Sequence, residues 1–322
     1  MYYNDECKEK YFSTLARSDQ RNRARKMFEA ASNREAEAQR DLGLWGHDDV
    51  VWLMNQLVTI DLVTFKTQIL DVYAYQQWYL KEAGLDHSDA IENRVVACNQ
   101  KKITREDIDF TQAVQINLTP NFAEVTNLLS SVISLDEGVL TPPLLCFAWM
   151  NVDIKQALHV PYDGIKWSSN IILSEDGNVL VDRIPVEVCD VLRRYENTWI
   201  GRNGRKTVYP YHTSYFLKPF LPKGYDAPHE AIQVSTATSS ISRVNQKVKQ
   251  LKVSHFDLTY ANVQKSAQFK MMLDREPTSF LTLGGRQFVE ELFGNGQKDF
   301  QKSRIYDVLY IYEQYKKVFN LI

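Results

Sequence analysis

Positively charged side chains form the densest chemical pattern in the second half of the chain. Residues 240–270 contain six lysines and arginines but only one acid, Asp257. The six are Arg243, Lys247, Lys249, Lys252, Lys265 and Lys270. Arg243 and Lys247 are four positions apart, so a helix would carry both on one face. Such a face suits contacts to nucleic-acid phosphates, and an ordinary solvated helix surface has the same pattern.

Two smaller cationic groups are further candidates for phosphate contacts. Residues 201–228 are rich in glycine, proline and aromatic residues, and their first cations are Arg202, Arg205 and Lys206. Cations interleaved with tyrosines suit backbone contact and base stacking, although such rings also anchor long loops to a core. The second group lies near the N-terminus and consists of Arg23, Arg25 and Lys26. It suits phosphate contacts or a solvated helix surface.

The cysteines argue against metal or disulfide chemistry. They are Cys7, Cys98, Cys146 and Cys189. They are far apart, and no two of them form a C-x-x-C pair. This spacing predicts reduced thiols, mostly in the core, rather than a zinc site or a disulfide framework. We expect neither a metal nor a cofactor.

The composition is that of an ordinary globular protein, with 44% hydrophobic and 12% aromatic residues. At about 100–200 residues per domain, a chain of 322 residues predicts two domains. The net charge of −2 excludes a polycation that coats nucleic acid, so any such contact requires a local surface. No stretch approaches the roughly 20 apolar residues of a membrane helix, and residues 1–10 are too polar for a signal peptide. We expect a cytoplasmic protein without a membrane partner.

Apolar periodicity predicts that the first domain is helical. Residues 4–39 are typical of short amphipathic helices. Residues 48–57 and 63–83 carry apolar side chains at spacings of three, four and seven, and Gly84 supplies a helix stop. A polar connection follows at residues 99–107.

The domain boundary is predicted between residues 100 and 117, which divides the chain into domains at residues 1–110 and 111–322. The second domain begins with a helix signal at Thr119-Pro120-Asn121.

The rest of the second domain is predicted to be helical around one small sheet. A helix is expected at residues 125–133, and an apolar run follows at residues 140–150. Residues 170–173 and 179–184 flank Glu175-Asp176-Gly177-Asn178, which is a good hairpin turn. The remainder is predicted to be mostly helical, apart from the 201–228 loop. The fold class is therefore mainly α with a small antiparallel sheet.

Four segments, in order, resemble the conserved motifs of tyrosine recombinases, the phage integrase family. Residues 151–165, NVDIKQALHVPYDGI, resemble "GLRISELLNLKWSDI", with Asp153 at the position of the first catalytic arginine. The turn SEDG resembles "SKTG", with Glu175 in place of the catalytic lysine. The segment LTYANVQKS resembles "LTPHDLRHT", with Ala261 at the histidine and Gln264 at the second arginine.

The resemblance continues to the C-terminal part of the chain. LFGN resembles "LLGH", with Asn295 in place of the last histidine, and Tyr306 corresponds to the nucleophilic tyrosine, expected just before the final helix. Residues 64–84 are similar to the helical core-binding domain of the family. The likeness covers about residues 45–315 and implies a two-domain, tyrosine-recombinase-like fold: a helical core-binding domain and a helical catalytic-like domain.

The replaced residues decide which activity the resemblance implies. Recombinases attack a DNA phosphodiester with the tyrosine hydroxyl, and cationic residues must offset the extra negative charge of the transition state. Asp153 and Glu175 would repel that charge. The phenol of Tyr306 needs an activating group to act as a nucleophile, and none is left in the motifs. The alternative interpretation is that Tyr306 is a packed aromatic residue of the C-terminal helix. The two domains of the family enclose duplex DNA, and this binding needs no catalytic residue. The resemblance therefore implies an inactive DNA-binding protein, most similar to the repressors of SPbeta-like prophages.

This interpretation implies specific partners. They are double-stranded operator DNA, a second copy bound through the C-terminal helix at residues 305–319, and a protein antagonist. The alternative for that helix is docking within its own chain. The expected setting is the nucleoid of a bacterial host, where the protein represses transcription and maintains lysogeny. Asn245, Gln246 and Gln264 have amide groups suited to adenine.

Two other functions remain open from the sequence. An active recombinase with a divergent site would take its missing positive charge from Arg183, Arg202 or Lys265. A protein-interaction module would have lost DNA binding as well as catalysis. A nicked suicide substrate tests the first alternative, and charge reversal in residues 240–270 tests the second.

Overall fold

The computed structural model describes residues 2–84, 103–133, 140–197, 199–200, 206–207, 214–218, 231–276, 283–294 and 302–321. The chain is mainly helical and divides into two compact units, Met1–Val114 and Gln115–Ile322. The division falls close to the boundary after residue 110 that the sequence predicts. Among the described helices, none is both long enough and apolar enough to cross a membrane.

The first unit is built from helices. In chain order they are α1 (Asp5–Thr14), α2 (Ser18–Ala38), a 3₁₀ turn (Leu42–Leu44), α3 (His47–Gln56) and α4 (Leu62–Glu82). The two helices predicted from periodicity are thus confirmed to within a residue or two. The N-terminal segment forms two helices rather than several short ones, because α2 continues for 21 residues. The core centres on aromatic rings, with Phe28 and Tyr75 4.8 Å apart between ring centroids.

A buried ion pair connects the first two helices. Lys8 of α1 and Glu35 of α2 are both fully buried, and their charged groups are 2.5 Å apart. Lys8 also donates to the carbonyl of Tyr3 at 2.6 Å, and Glu35 accepts from the backbone N–H of Leu42 at 2.7 Å. Burial raises the pKa of Glu35, although the hydrogen bond from Lys8 opposes this effect. The pair joins α1, α2 and the 3₁₀ turn.

The second unit surrounds a fully buried helix. Helix α5 (Thr111–Asn117) spans the division between the units, and α6 (Phe122–Val132), α7 (Thr141–Trp149) and α8 (Ile154–Leu158) follow in the second unit. Asn121 caps α6 by accepting from the backbone N–H of Glu124 at 3.0 Å, as the Thr-Pro-Asn signal predicts. Every residue of α7 is buried. The predicted apolar run is therefore the central helix of this unit.

A three-stranded antiparallel sheet follows, in the order β1 (Ile165–Lys166), β2 (Ile171–Leu173) and β3 (Val179–Val181). Ile172 of β2 pairs with Ile165 on one side and with Val181 on the other. Gly177 adopts a positive φ of 78° in the connecting turn, which favours glycine. The predicted hairpin and small sheet are confirmed.

The stretch predicted as a long loop is not entirely irregular. After α9 (Val186–Asn197), strand β4 (Trp199–Ile200) pairs with β5 (Lys206–Thr207) in an antiparallel two-stranded sheet. The prediction was therefore wrong at β5, because two-residue strands are too short to show alternation. Most other residues of that stretch lie outside the described part of the chain.

In the part of the chain that the structure describes, four further helices belong to the second unit. They are α10 (Val234–Leu251), α11 (Tyr260–Arg275), α12 (Leu283–Phe293) and α13 (Lys302–Val318). Tyr312 and Tyr315 of α13 are fully buried and lie 5.9 and 5.5 Å from Phe269 of α11, between ring centroids. The aromatic face of α13 therefore docks within its own chain. Tyr306 lies inside α13 rather than before it, so that expectation was wrong.

Candidate nucleic-acid interface

The amphipathic pattern of α10 determines which of its side chains reach solvent. Ala237, Ile241, Val244 and Val248 recur at spacings of three and four, and all are buried. This face packs against α6 and α7. Buried Ser240 adds a hydrogen bond, because its hydroxyl lies 2.9 Å from that of Thr141 on α7. The helix is held firmly along its inner side, and its outer side faces solvent.

The outer side of α10 carries hydroxyls, amides and cations but no carboxylate. Leu251, the last residue of the helix, is also exposed. The exposed polar residues are Ser235, Thr236, Thr238, Ser239, Ser242, Arg243, Gln246, Lys247, Lys249 and Gln250. We call this set the α10 face. Arg243 and Lys247 have no ion-pair partner among the described residues, and Arg243 donates to the carbonyl of Ser239 at 3.3 Å. Two cations therefore project from an exposed helix without neutralisation by a described acid.

The neighbouring lysine has a different environment. Lys249 forms an ion pair of 2.5 Å with Asp257. The carboxylate of Asp257 also accepts from the amide of Asn245 at 2.7 Å, and the Asn245 oxygen accepts from the backbone N–H of Leu258 at 3.0 Å. Burial alone would raise the pKa of Asp257, but the hydrogen bonds from Asn245 and Lys249 outweigh it and lower the pKa. This network ties the end of α10 to the segment before α11.

The network corrects the expectation for Asn245. Its side chain is buried and both ends of the amide are engaged, so it cannot reach a base. Gln246 is exposed on the α10 face. Gln264 donates to the carbonyl of Val152 at 3.3 Å and is not on that face. Of the three amides, Gln246 alone lies beside Arg243 and Lys247.

The other predicted cations of this segment do not belong to the α10 face. Lys252 is the exposed C-terminal cap of α10, with a positive φ of 52°. Lys265 lies half-buried on α11. Lys270 forms an ion pair with Asp274, one turn further along α11.

The N-terminal group belongs to the first unit, on α2. Arg23 is bound to two carboxylates, those of Asp71 at 2.6 Å and Asp19 at 3.0 Å, so its charge is offset locally. Arg25 is exposed and lies 5.9 Å from the ring centroid of Phe12, and Lys26 is exposed. Arg202 and Arg205 lie outside the described residues. Lys206 is in β5, and its side chain is not described.

Beside the α10 face, a cleft of about 420 Å³ lies between α8, α10 and α11. It brings Asp153 together with Ala261 and Gln264 of α11, which lie far from Asp153 in the sequence. The carbonyl of Val152 accepts from the hydroxyl of Tyr260 at 2.8 Å and from Gln264 at 3.3 Å. These bonds hold the turn before α8 against α11. Asp153 caps α8 by accepting from the backbone N–H of Lys155 at 2.8 Å.

The described lining of this cleft contains no lysine, arginine or histidine. Asp153 is the one carboxylate of this described lining, and burial, followed by the nearby carboxylate of Asp153, raises the pKa of Tyr260. Glu175 is not in this lining and accepts from the hydroxyl of Tyr215 at 3.3 Å. Arg183 and Lys265 are likewise absent from it, and Asn295 lies outside the described residues. The lining therefore provides no positive charge to stabilise a phosphoryl-transfer transition state.

The remaining reactive groups do not form a second site in the described part of the chain. Tyr306 is 53% exposed on α13 and does not line the cleft. Cys7, Cys146 and Cys189 are free thiols whose pKa values burial raises, which disfavours the reactive thiolate. Among the described residues, no three histidines, cysteines or acids are grouped so as to hold a metal ion.

Sequence reasoning missed two features of this region. One is the Asn245–Asp257–Lys249 network. Asp257 is the single acid of a basic segment, and that isolation could have indicated that it pairs with a neighbouring cation. The other is the contribution of Thr238 and Ser242 of α10 to the cleft.

The chain matches no protein-family model, and a search of curated proteins gives no significant match.

Proposed function

We propose that this protein binds double-stranded DNA at specific sites without catalysing a reaction on it, and that it acts as a transcriptional repressor that maintains prophage lysogeny. The observation that carries DNA binding is the α10 face. An exposed helix with cations, amides and hydroxyls but no carboxylate matches the groups that proteins use on phosphates and base edges. Arg243 and Lys247 are the phosphate contacts, and Gln246 between them is the candidate for base contact.

The charge of the whole molecule supports a localised interface rather than a general coating of DNA. The chain has a net charge of −2, so most of its surface does not attract a polyanion. The cations of the α10 face are concentrated on one helix that the core holds in place. Localised contact of this kind positions a protein on DNA in one register, which sequence-specific binding requires.

The cleft supports the absence of catalysis. The motif resemblance aligns Asp153, Ala261 and Gln264 with three catalytic positions of tyrosine recombinases, and these three residues line one cleft. Their convergence supports the proposed recombinase-like fold. Because the described lining holds one carboxylate and no cation, we infer that DNA cleavage has been lost while DNA binding is retained.

The decisive experiment begins with a genomic DNA pull-down, followed by gel shifts on the enriched fragments. We expect binding to a small set of sites with an affinity that falls steeply with salt, because neutralised phosphates release counterions. The variant Arg243→Ala/Lys247→Ala should reduce this affinity. The matched control is Arg304→Ala/Lys317→Ala, which removes the same charge from exposed positions on α13.

Two results would contradict the proposal. One is the absence of any preferred fragment at moderate salt. The other is equal affinity of the α10 variant and the α13 control, which would show that the α10 face does not contact DNA. If the α10 variant also kept its regulatory activity in cells, the protein would be an interaction module instead.

A further inference from the structure

The cleft between α8, α10 and α11 has a lining suited to a small molecule. Its lining includes the apolar side chains of Ile154, Ile241 and Leu258, and its volume is about 420 Å³. Small-molecule sites commonly measure about 300–1,000 Å³ and combine an apolar lining with a few polar groups. The cleft therefore offers apolar contact area together with a limited polar set.

Several donors of the lining are already used within the protein. The hydroxyl of Tyr260 donates to the carbonyl of Val152, and the hydroxyl of Thr238 donates to the carbonyl of Val234 at 2.9 Å. The amide nitrogen of Gln264 also donates to Val152. The oxygens of these three side chains retain acceptor capacity.

The charge of the lining agrees with this inventory. Asp153 is exposed, and one of its oxygens accepts from the backbone N–H of Lys155. A carboxylate has about four lone-pair sites, so it can accept further bonds. The described lining provides no cation to compete for it. A ligand that donates several hydrogen bonds and carries positive charge would complement this surface.

We propose that the cleft binds a small organic cation, a primary ammonium or guanidinium group attached to an apolar body. The cationic group contacts the carboxylate of Asp153, and the apolar body lies against Ile154, Ile241 and Leu258. An ammonium group has three donors and no acceptor, which matches the acceptors left in the lining. This inference does not rest on the proposed function, although Thr238 and Ser242 belong to both the cleft and the α10 face.

The test uses phenethylamine as the probe and 2-phenylethanol as its neutral counterpart of similar shape. Ligand-observed NMR titrations of the full chain, without DNA, measure both dissociation constants. We expect phenethylamine to bind in the millimolar range and about fivefold more tightly than the alcohol, which is typical of a partly exposed ion pair.

Two variants locate the site. Asp153→Asn keeps an acceptor that can cap α8 but removes the charge, so it should weaken phenethylamine binding about fivefold and leave the alcohol unaffected. Ala261→Leu adds bulk at an exposed position of the lining and should weaken both probes. Asp163→Asn is the control, because it removes an exposed carboxylate that is not in the lining.

Several outcomes would overturn the proposal. Equal affinity for the amine and the alcohol, or unchanged amine affinity in Asp153→Asn, would show that the carboxylate does not bind the cation. No binding at millimolar concentration would exclude the site. Binding of Nα-acetyl-lysine methylamide but not of phenethylamine would assign the cleft to a lysine side chain of a protein partner instead of a small molecule. A protein that fails to bind DNA but binds phenethylamine would refute the proposed function alone.

Discussion

Lys247 and Lys249 are both exposed lysines on α10, two positions apart, yet the structure predicts different consequences when each is replaced by alanine. Lys247 has no ion-pair partner among the described residues, whereas Lys249 forms a 2.5 Å pair with Asp257. The first change should act on DNA binding. The second should act partly on stability.

The size of each effect follows from the two environments. Each phosphate contact adds about −0.9 to the slope of log affinity against log salt concentration. Relative to about 1 M salt, one contact is therefore worth about fivefold in affinity at roughly 0.15 M salt. Lys247→Ala should therefore weaken DNA binding about fivefold and reduce the slope of log affinity against log salt by about 0.9. Lys249→Ala should weaken binding less, because Asp257 already offsets its charge.

The same variants should separate in thermal unfolding. Lys249→Ala should lose up to about 1 kcal/mol, since the Lys249 side chain is more than half exposed. That loss corresponds to a melting temperature lower by about 2–4 °C for a domain of this size. Lys247→Ala should leave the melting temperature unchanged.

The assay is a gel-shift titration at four salt concentrations, combined with differential scanning calorimetry of the same preparations. Lys317→Ala on α13 is the control for removal of one exposed positive charge. Equal salt slopes for Lys247→Ala and Lys249→Ala, together with equal melting temperatures, would refute the reasoning, because the pair with Asp257 would then have no energetic effect.

Three further predictions concern other parts of the structure. Lys8→Met should destabilise the first unit by about 3–5 kcal/mol in urea unfolding, because it leaves the buried carboxylate of Glu35 unpaired, and Lys8→Met/Glu35→Leu should recover much of the loss. If the double variant is no more stable than the single one, the buried pair does not explain the loss. Asp257 has a lowered pKa in the folded protein, so its contribution to stability is complete above its ordinary value of about 3.9 and is lost as the pH falls through the lowered value. In urea midpoints measured from pH 6 to pH 2, Asp257→Asn should therefore show a weaker dependence on acid than the parent chain, and identical profiles would contradict this assignment. A nicked suicide substrate should form no covalent adduct, since the described cleft lining has no cation, and an adduct that Tyr306→Phe abolishes would establish the protein as an active recombinase.

Local sequence patterns were sufficient for many of the elements. The helices α3 and α4 follow from apolar spacing, because one buried stripe per helix is a property of the segment itself. The hairpin between β2 and β3 follows from its turn residues, since Gly177 supplies the positive φ. The second sheet was not predicted, because strands of two residues have no recognisable alternation.

The candidate site was only partly predictable. The spacing of Arg243 and Lys247 places both on one helix face, and their common exposure agrees with that spacing. Asn245 lies between them in sequence and has suitable chemistry for a base, but it is buried and binds Asp257. Its role depends on a residue that tertiary folding brings to it, and helix periodicity contains no information about that partner.

The sequence alone determined a mainly helical chain whose densest group of cations lies in residues 240–270, since periodicity, turn residues and charge are properties of short segments. Only the tertiary structure decided which cations are available. Lys249, Lys270 and Arg23 are each paired with an acid, while Arg243 and Lys247 have no described carboxylate partner. Tertiary structure also decided that Asp153, Ala261 and Gln264 line one cleft without a described cation. The physical reason is that ion pairs and cavities depend on distances between side chains from different elements, which are set when those elements pack.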